Sequence, residues 1–260
     1  MLSKNQTKYL HSLQTKKGRL KEGAFIAEGP KVVGDLSAVV APLKIFATDN
    51  WLSENRVVGG CDVFSVTDDE LRKISFLQHP QQVLAVFPLP RLNVSDNSEN
   101  HSETVSMLPN ASDLYLALDG VQDPGNLGTI IRVADWFGIN TVFCSNDTVD
   151  AYNPKVIQAT MGSIARVNVV YTDLCALFDV LPADYPVYGT FLDGENIYEK
   201  TLSLNGIIVM GNEGNGISQK LRNKINNKLL IPNFPYGRQT AESLNVAIAT
   251  AITCSEFRRK

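Results

Sequence analysis

Three stretches of this 260-residue chain combine residue types that chemistry uses with spacings that put them at the ends of regular elements. The first is Asp119-Gly-Val-Gln-Asp-Pro-Gly-Asn126-Leu-Gly128, a loop leading into Thr-Ile-Ile-Arg132-Val-Ala-Asp135-Trp-Phe. In that helix Ile130, Ile131, Val133, Ala134 and Phe137 supply a core face, leaving Arg132 and Asp135 on the other side. Arg132 can pair with Asp135. Its position one turn into a helix that follows a strand and a glycine loop also suits an anion or a developing negative charge, because guanidinium binds planar oxyanions bidentately. The second stretch is Ile207-Ile-Val-Met-Gly211-Asn-Glu213-Gly214-Asn-Gly216-Ile-Ser218. Its glycine order is not that of a dinucleotide fingerprint, and no Lys-Ser or Lys-Thr follows as in a phosphate-binding P-loop. Glu213 would repel a phosphate; a carboxylate among backbone amides suits a ligand with hydroxyls or cationic groups, or an arginine from elsewhere in the chain. A tight turn needing positive φ accounts for the glycines and leaves Glu213 unexplained.

The third stretch runs from Leu230 to Ala251, an apolar strand, a loop punctuated by Pro232, Pro235 and Gly237, and an apolar helix from Ser243 onward. Leu244, Val246, Ile248 and Ile252 interleave with alanines, which predicts a helix apolar nearly all round and buried, with Asn245 inside it. A buried amide left without partners costs about 1 to 3 kcal/mol. Either Ser243 caps the helix and Asn245 satisfies a neighbouring loop, or Asn245 belongs to a site.

The elements that position these residues read as a regular alternation. Strands are expected at Leu114–Leu118, Thr141–Cys144, Val167–Tyr171, Val187–Phe191, Ile207–Met210 and Lys228–Pro232. Helices are expected at Thr129–Phe137, Pro154–Met161, Asp173–Leu181 and Ser218–Ile225, besides the last one. Short apolar strands separated by helices imply a mostly parallel sheet covered on both faces, with ligands beyond the carboxyl ends of its strands. Upstream, residues 1–90 read as a small α/β unit. It has a basic helix around Gln6–Leu13, strands at Ala24–Ala27, Lys44–Ala47 and Val83–Phe87, and a helix at Pro30–Leu36. Residues 91–112 turn to Asn, Ser, Glu and Asp, a flexible linker, and 113–260 form the second domain.

Composition narrows the class. At 44% hydrophobic and 20% charged residues the chain is an ordinary globular protein, with no run near the roughly 18 apolar residues of a membrane span. The start Met-Leu-Ser-Lys-Asn-Gln lacks the apolar core of a secretory signal, so a cytoplasmic protein is expected, with no membrane partner. Cys61, Cys144, Cys175 and Cys254 are scattered and only three histidines are present, so neither a metal site nor a disulfide framework is expected. A net charge of −3 argues against indiscriminate coating of nucleic acid. Between Met1 and Lys31, however, seven basic residues face only Glu22 and Glu28; Lys4, Lys16, Lys17 and Arg19 are candidates for a phosphate-facing patch.

The three stretches in order resemble the successive motifs of the SpoU (TrmH-type) RNA ribose 2′-O-methyltransferases. The matching residues are Asn126-Leu-Gly-Thr-Ile-Ile-Arg132-Val-Ala, Met210-Gly-Asn-Glu213-Gly-Asn-Gly, and Ile231-Pro followed by Ser243-Leu-Asn245-Val. Asn153-Pro-Lys-Val and Met161-Gly-Ser-Ile-Ala-Arg-Val fit between them. Ser3-Lys-Asn-Gln, Lys17-Gly-Arg, Phe25-Ile-Ala-Glu-Gly and His79-Pro-Gln-Gln-Val-Leu-Ala resemble that family's accessory substrate-binding domain. Two departures stand out: the loop from Pro232 to Ser243 is longer than the short family form, and Ala247 stands where a serine is usual.

The resemblance implies an α/β SPOUT domain whose C-terminal segment makes a trefoil knot that binds S-adenosylmethionine, usually in a homodimer, after a small α/β RNA-binding domain. It implies cofactor contacts at Gly211, Ile231 and Leu244, with Thr190 to Leu192 closing another side. Arg132 would carry the central catalytic role, with Asn126, Glu213, Ser243 and Asn245 orienting it, the ribose and the cofactor. Ribosomal RNA is the expected substrate. A transfer RNA methyltransferase and a non-catalytic RNA-binding assembly factor on the same scaffold are the alternatives.

Overall fold

The computed structural model describes residues 2–56, 60–90, 109–235 and 238–259. The chain divides into two compact units, Met1–Leu92 with Asp150–Arg166, and Asn93–Val149 with Val167–Lys260. Most of the expected linker, up to residue 108, lies outside the described residues, as do Tyr236 and Gly237 of the long loop.

The first unit runs α1 (Lys4–Ser12), α2 (Lys16–Glu22), β1 (Ala24–Glu28), α3 (Pro30–Ser37), β2 (Lys44–Ala47), α4 (Asp49–Glu54), β3 (Asp62–Ser65), α5 (Asp68–Ile74) and β4 (Val83–Pro88). Its sheet has the order β1-β4-β2-β3, with β4 antiparallel to β1 and β2, and β2 parallel to β3. Leu10, Leu13, Ile26, Phe46, Leu71, Ile74, Leu84 and Val86 form the core on one face. On the other, Phe25 packs between Phe87 and Tyr152, at centroid distances of 5.8 and 4.9 Å. Helices α2, α4 and α5 and strand β3 escape a periodicity reading because each is short, although Thr15, Thr48 and Thr67 cap the three helices through their hydroxyls.

Two charged side chains are buried in this unit. Arg19 donates from Nη1 to the carbonyls of Leu13 and Gln14, each at 2.9 Å, and from Nη2 to the carboxylate of Asp150. The preceding Gly18 lets α2 approach α1, since a Cβ there would lie 1.9 Å from the Ser12 carbonyl oxygen. Glu28, at the end of β1, accepts from the Phe76 amide at 2.9 Å and from the Ser75 hydroxyl. Burial pushes its carboxyl above the ordinary range, against the opposing pull of those two hydrogen bonds.

The second unit is a six-stranded, wholly parallel sheet in the order β10-β8-β9-β5-β6-β7. Its strands are β5 (Leu114–Leu118), β6 (Thr141–Cys144), β7 (Asn168–Tyr171), β8 (Val187–Asn196), β9 (Gly206–Met210) and β10 (Asn227–Leu230). Strands β5 and β9 are buried throughout and β6 after its first residue, as strands covered on both faces must be. One face carries Tyr115, Ala117, Phe143, Val187, Ile207 and Val209, packed with residues of α8 (Leu174–Asp179) and α9 (Gln219–Arg222). The remaining helices are α6 (Pro124–Trp136) and α10 (Val246–Arg258), which pack on each other, and α7 (Pro154–Thr160), which belongs to the first unit.

Helix α6 begins five residues before the expected start. Asp123 accepts the Asn126 amide at 2.8 Å and Pro124 occupies the first turn, so a capped proline start replaces the anticipated loop. Helix α10 begins at Val246, three residues later than expected, with Asn245 as its N-cap rather than inside it. Strand β8 continues past Phe191 to Asn196 with a break: Lys228 pairs with Gly189 but Leu229 pairs with Glu195. The intervening residues leave the ladder, with the Phe191 ring under Arg222 at 4.4 Å and Asp193 accepting from Arg222 at 2.5 Å. All four cysteines are free thiols, and burial pushes Cys254 up to about 12 and Cys144 higher still, so neither is a nucleophile at neutral pH.

Candidate active site

In the parallel sheet, chain order runs outward from β5 through β6 to β7, and on the other side β9 lies beside β5 with β8 beyond. The loops after β5 and β9 therefore leave the carboxyl edge in opposite directions, which opens the crevice where such sheets bind ligands. Both loops are fixed there. Asn212 donates from Nδ2 to the Gly120 carbonyl at 2.7 Å, and its Oδ1 accepts the amides of Gly214 and Asn215. Ser218 N–H donates to Asp119 at 2.7 Å. Reciprocal backbone bonds of 2.9 Å between Asn212 and Gly216 close the second loop. Gly211 is required by that closure, since a Cβ would lie 2.2 Å from the Gly216 carbonyl carbon.

Across this crevice runs a hydrogen-bond relay of three side chains from the three stretches. Asn126 donates from Nδ2 to Glu213 Oε1 at 2.9 Å, and Asn245 donates from Nδ2 to Asn126 Oδ1 at 2.9 Å. Asn245 Oδ1 accepts the amides of Ala247 and Ile248 at 3.0 and 3.3 Å. The direction of the relay has no freedom: the Glu213 carboxylate only accepts, and the Asn245 oxygen is committed to capping α10. Asn126 must present nitrogen to the one and oxygen to the other.

Asn245 is therefore not the buried amide in need of a partner that its apolar flanks predict. It is exposed, and it caps the helix in place of Ser243, for which no capping bond is present among the described residues. An Asn at this position satisfies two helix donors and still has its amide nitrogen for the relay. Asn245→Ala is expected to lower the stability of the second unit by about 1 kcal/mol through the lost cap. Asn245→Asp keeps the cap but sets an acceptor against the Asn126 oxygen, so thermal melting should stay near wild type while any activity that depends on the relay falls. Melting and activity moving together in both variants would refute a relay distinct from the cap.

Arg132 is exposed on α6, and among the described residues it forms no ion pair or hydrogen bond, so the alternative pairing with Asp135 is not formed. The positions one and two turns earlier on its face are Gly128 and Gly125, which add no side chain of their own between Arg132 and the helix N-terminus. Of the expected cofactor contacts, Thr190 donates to the Met210 sulfur at 3.9 Å, and Leu192 and Leu244 are 79% and 50% exposed. The backbone of Ile231 and of Leu244 makes no hydrogen bond among the described residues. Three positioning residues carried no signal before the fold was known: Asp119, Asn212 and Asp123 act by tying loops to one another, and their partners are distant in the chain or set by local capping.

In the first unit Lys4, Lys16 and Lys17 are exposed at the starts of α1 and α2. Arg19 departs from the expected patch: its side chain is 3% exposed and committed to Asp150 and two carbonyls, which removes it from any phosphate-facing surface. Among the described residues no group of three or more His, Cys, Asp or Glu is placed to hold a metal ion.

Comparison with known proteins agrees with this geometry. Residues 113–255 match the SpoU rRNA Methylase family, and residues 4–85 match the MRM3-like substrate binding domain. The 23S rRNA (guanosine(2553)-2′-O)-methyltransferase RlmP of Bacillus subtilis is 33% identical over 98% of this chain and 97% of its own. A structure assigned as an RNA methyltransferase of the TrmH family from Porphyromonas gingivalis superposes with a TM-score of 0.83 at 41% identity, covering 99% of this chain and 98% of that one. The AdoMet-bound rRNA methyltransferase from Sinorhizobium meliloti gives 0.81 at 28% identity, covering 99% and 95%. With one family spanning most of the relay-bearing unit and a relative matched from end to end, the chain belongs to the SpoU rRNA methylase family.

Proposed function

We propose that this protein is an S-adenosylmethionine-dependent RNA 2′-O-ribose methyltransferase acting on ribosomal RNA. The observation that carries the reading is the Glu213–Asn126–Asn245 relay at the switch point of the parallel sheet, with Asn126 on the helix that also presents Arg132, which is unpaired among the described residues. The names of the relatives support ribosomal RNA over transfer RNA. A purely structural RNA-binding factor would have no need of an exposed relay whose polarity is fully determined.

S-adenosylmethionine, when bound, supplies a methyl group activated on a sulfonium centre. The residues that would hold it are Gly211, Ile231 and Leu244, with Thr190 and Leu192 closing another side. Alignment of the ribose oxygen with that methyl group can account for about 7 to 11 kcal/mol of the barrier. The remaining problem is a weakly acidic hydroxyl. Arg132 binds the neighbouring phosphate and stabilises the negative charge that develops on the ribose oxygen, and it stays protonated, since guanidinium does not give up its proton in proteins. A phosphate oxygen or a water molecule accepts the hydroxyl proton. Asn126, Glu213 and Asn245 fix the start of α6, and with Ser243 they orient the ribose.

The exposed lysines Lys4, Lys16 and Lys17 contact RNA phosphates and give the first unit its part in target choice. A trefoil-knotted C-terminal segment, a homodimer and a cytoplasmic location complete the reading. The test is transfer from labelled S-adenosylmethionine to ribosomal RNA, followed by alkaline hydrolysis. Label in alkali-resistant dinucleotides is expected; label on bases, or none in any RNA, would reject the assignment.

A further inference from the structure

We propose that Arg222 and Asp193 are positioning residues for the cofactor: one guanidinium fixes the part of β8 that carries Leu192. This rests on the methyltransferase reading above, in which Thr190 and Leu192 close one side of S-adenosylmethionine. The observation behind it is an irregular strand that is braced where its ladder fails.

Strand β8 pairs with β9 only through Gly189, and its pairing with β10 jumps from Gly189 opposite Lys228 to Glu195 opposite Leu229. Residues 190–194 therefore leave the register of both neighbours, and the ladder that fixes a strand elsewhere does not fix them. Other contacts do. The return to β10 is made by Gly194, where a Cβ would lie 2.4 Å from the Leu229 carbonyl carbon. Before it, Arg222 of α9 reaches two residues at once. Its guanidinium carbon lies 4.4 Å from the centroid of the Phe191 ring, and its Nη2 donates to Asp193 Oδ2 at 2.5 Å. Lys228 of β10 adds a second cation, 3.5 Å from the same carboxylate oxygen and 5.8 Å from the same ring. The ring itself packs, with Ile217, against the core cluster on this face of the sheet.

Successive side chains of an extended strand point to opposite sides. Phe191 and Asp193 share the side held by Arg222, which leaves Leu192 between them on the other, 79% exposed. An exposed ion pair adds little to global stability. Its effect here is local: a planar guanidinium stacked on a ring and bonded to a carboxylate restrains the two residues that bracket Leu192, which a single ammonium does not reproduce. Without that restraint, binding must order this part of the strand again, and the apparent affinity falls with the fraction of molecules that hold the competent shape.

The test uses the full-length protein and S-adenosylmethionine, with affinity read by calorimetry beside thermal melting. Arg222→Ala and Asp193→Ala should each weaken binding on the order of tenfold with the melting temperature near wild type, and the double variant should bind no more weakly than either single one. Arg222→Lys should recover only part of the affinity. Lys224→Ala, which breaks the nearby ion pair with Asp179, should bind as the wild type does. In methyl transfer to a ribosomal RNA fragment, KM for S-adenosylmethionine should rise with the dissociation constant while kcat at saturating cofactor holds. Wild-type affinity in Arg222→Ala would overturn the proposal, as would additive losses in the double variant, which indicate two independent effects. An equal loss in Lys224→Ala, or melting that falls in step with affinity, would overturn it too, because either indicates general loosening of the unit. A wild-type protein that does not bind S-adenosylmethionine would bring down the cofactor reading instead.

Discussion

Arg132→Ala is expected to lower methyl transfer into RNA by about 10² to 10³-fold, the usual cost of removing one preorganised donor from a developing oxyanion. Affinity for S-adenosylmethionine, measured by calorimetry, should hardly move, because the residues proposed to hold the cofactor lie on β8 and on the loops after β9 and β10 and not on α6. Stability should hardly move either, since Arg132 is exposed and has no partner to leave behind among the described residues. Arg132→Lys keeps the charge and loses the planar fork, so it should recover only part of the activity. Single-turnover transfer of labelled methyl groups, read beside the two binding measurements, separates chemistry from assembly. Activity near wild type in the alanine variant would remove Arg132 from the reaction.

The largest effect on stability is expected from Arg19→Ala. The guanidinium is buried, bonded to the carbonyls of Leu13 and Gln14 and to the carboxylate of Asp150, so truncation leaves a partly buried carboxylate and two carbonyls without their donor. Breaking one side of a buried ion pair costs about 3 to 5 kcal/mol. Chemical denaturation followed by circular dichroism should show the first unit unfolding at markedly lower denaturant. The pair is not ideal, because Arg19 Nε has no hydrogen-bond partner. Replacing both members with apolar residues, as in Arg19→Met with Asp150→Leu, should therefore recover much of the loss. Lys16→Ala and Lys17→Ala, on the exposed start of the same helix, should instead weaken RNA binding and change stability by no more than about 0.5 kcal/mol. An unaltered unfolding midpoint in Arg19→Ala would return that residue to the surface patch.

The contrast between Arg19 and its neighbours shows where reading residues in order stops. Charge density marks a basic segment, but all its cations look alike until the fold selects one for burial. That selection depends on Asp150, a residue distant in the chain, and on Gly18, which lets α2 close on α1. Asn245 shows the converse. Its flanking apolar residues predict helix interior, yet three residues of register decide between a buried amide and an exposed cap. That register is set by capping bonds and by contact with Asn126, not by periodicity.

Sequence alone determined the parallel alternating architecture, because strands buried on both faces must be short apolar runs and their connections must be helical. It determined the three stretches that converge, because glycine-rich loops and polar residues beside apolar strands have few other uses. Tertiary structure decided which polar groups meet: Asn126 with Glu213 and Asn245, Asn212 with Gly120, Asp119 with Ser218. These are pairings between loops far apart in the chain, fixed by strand order in the sheet. Periodicity is a local property set within each element, whereas a hydrogen bond across a crevice depends on which strands become neighbours.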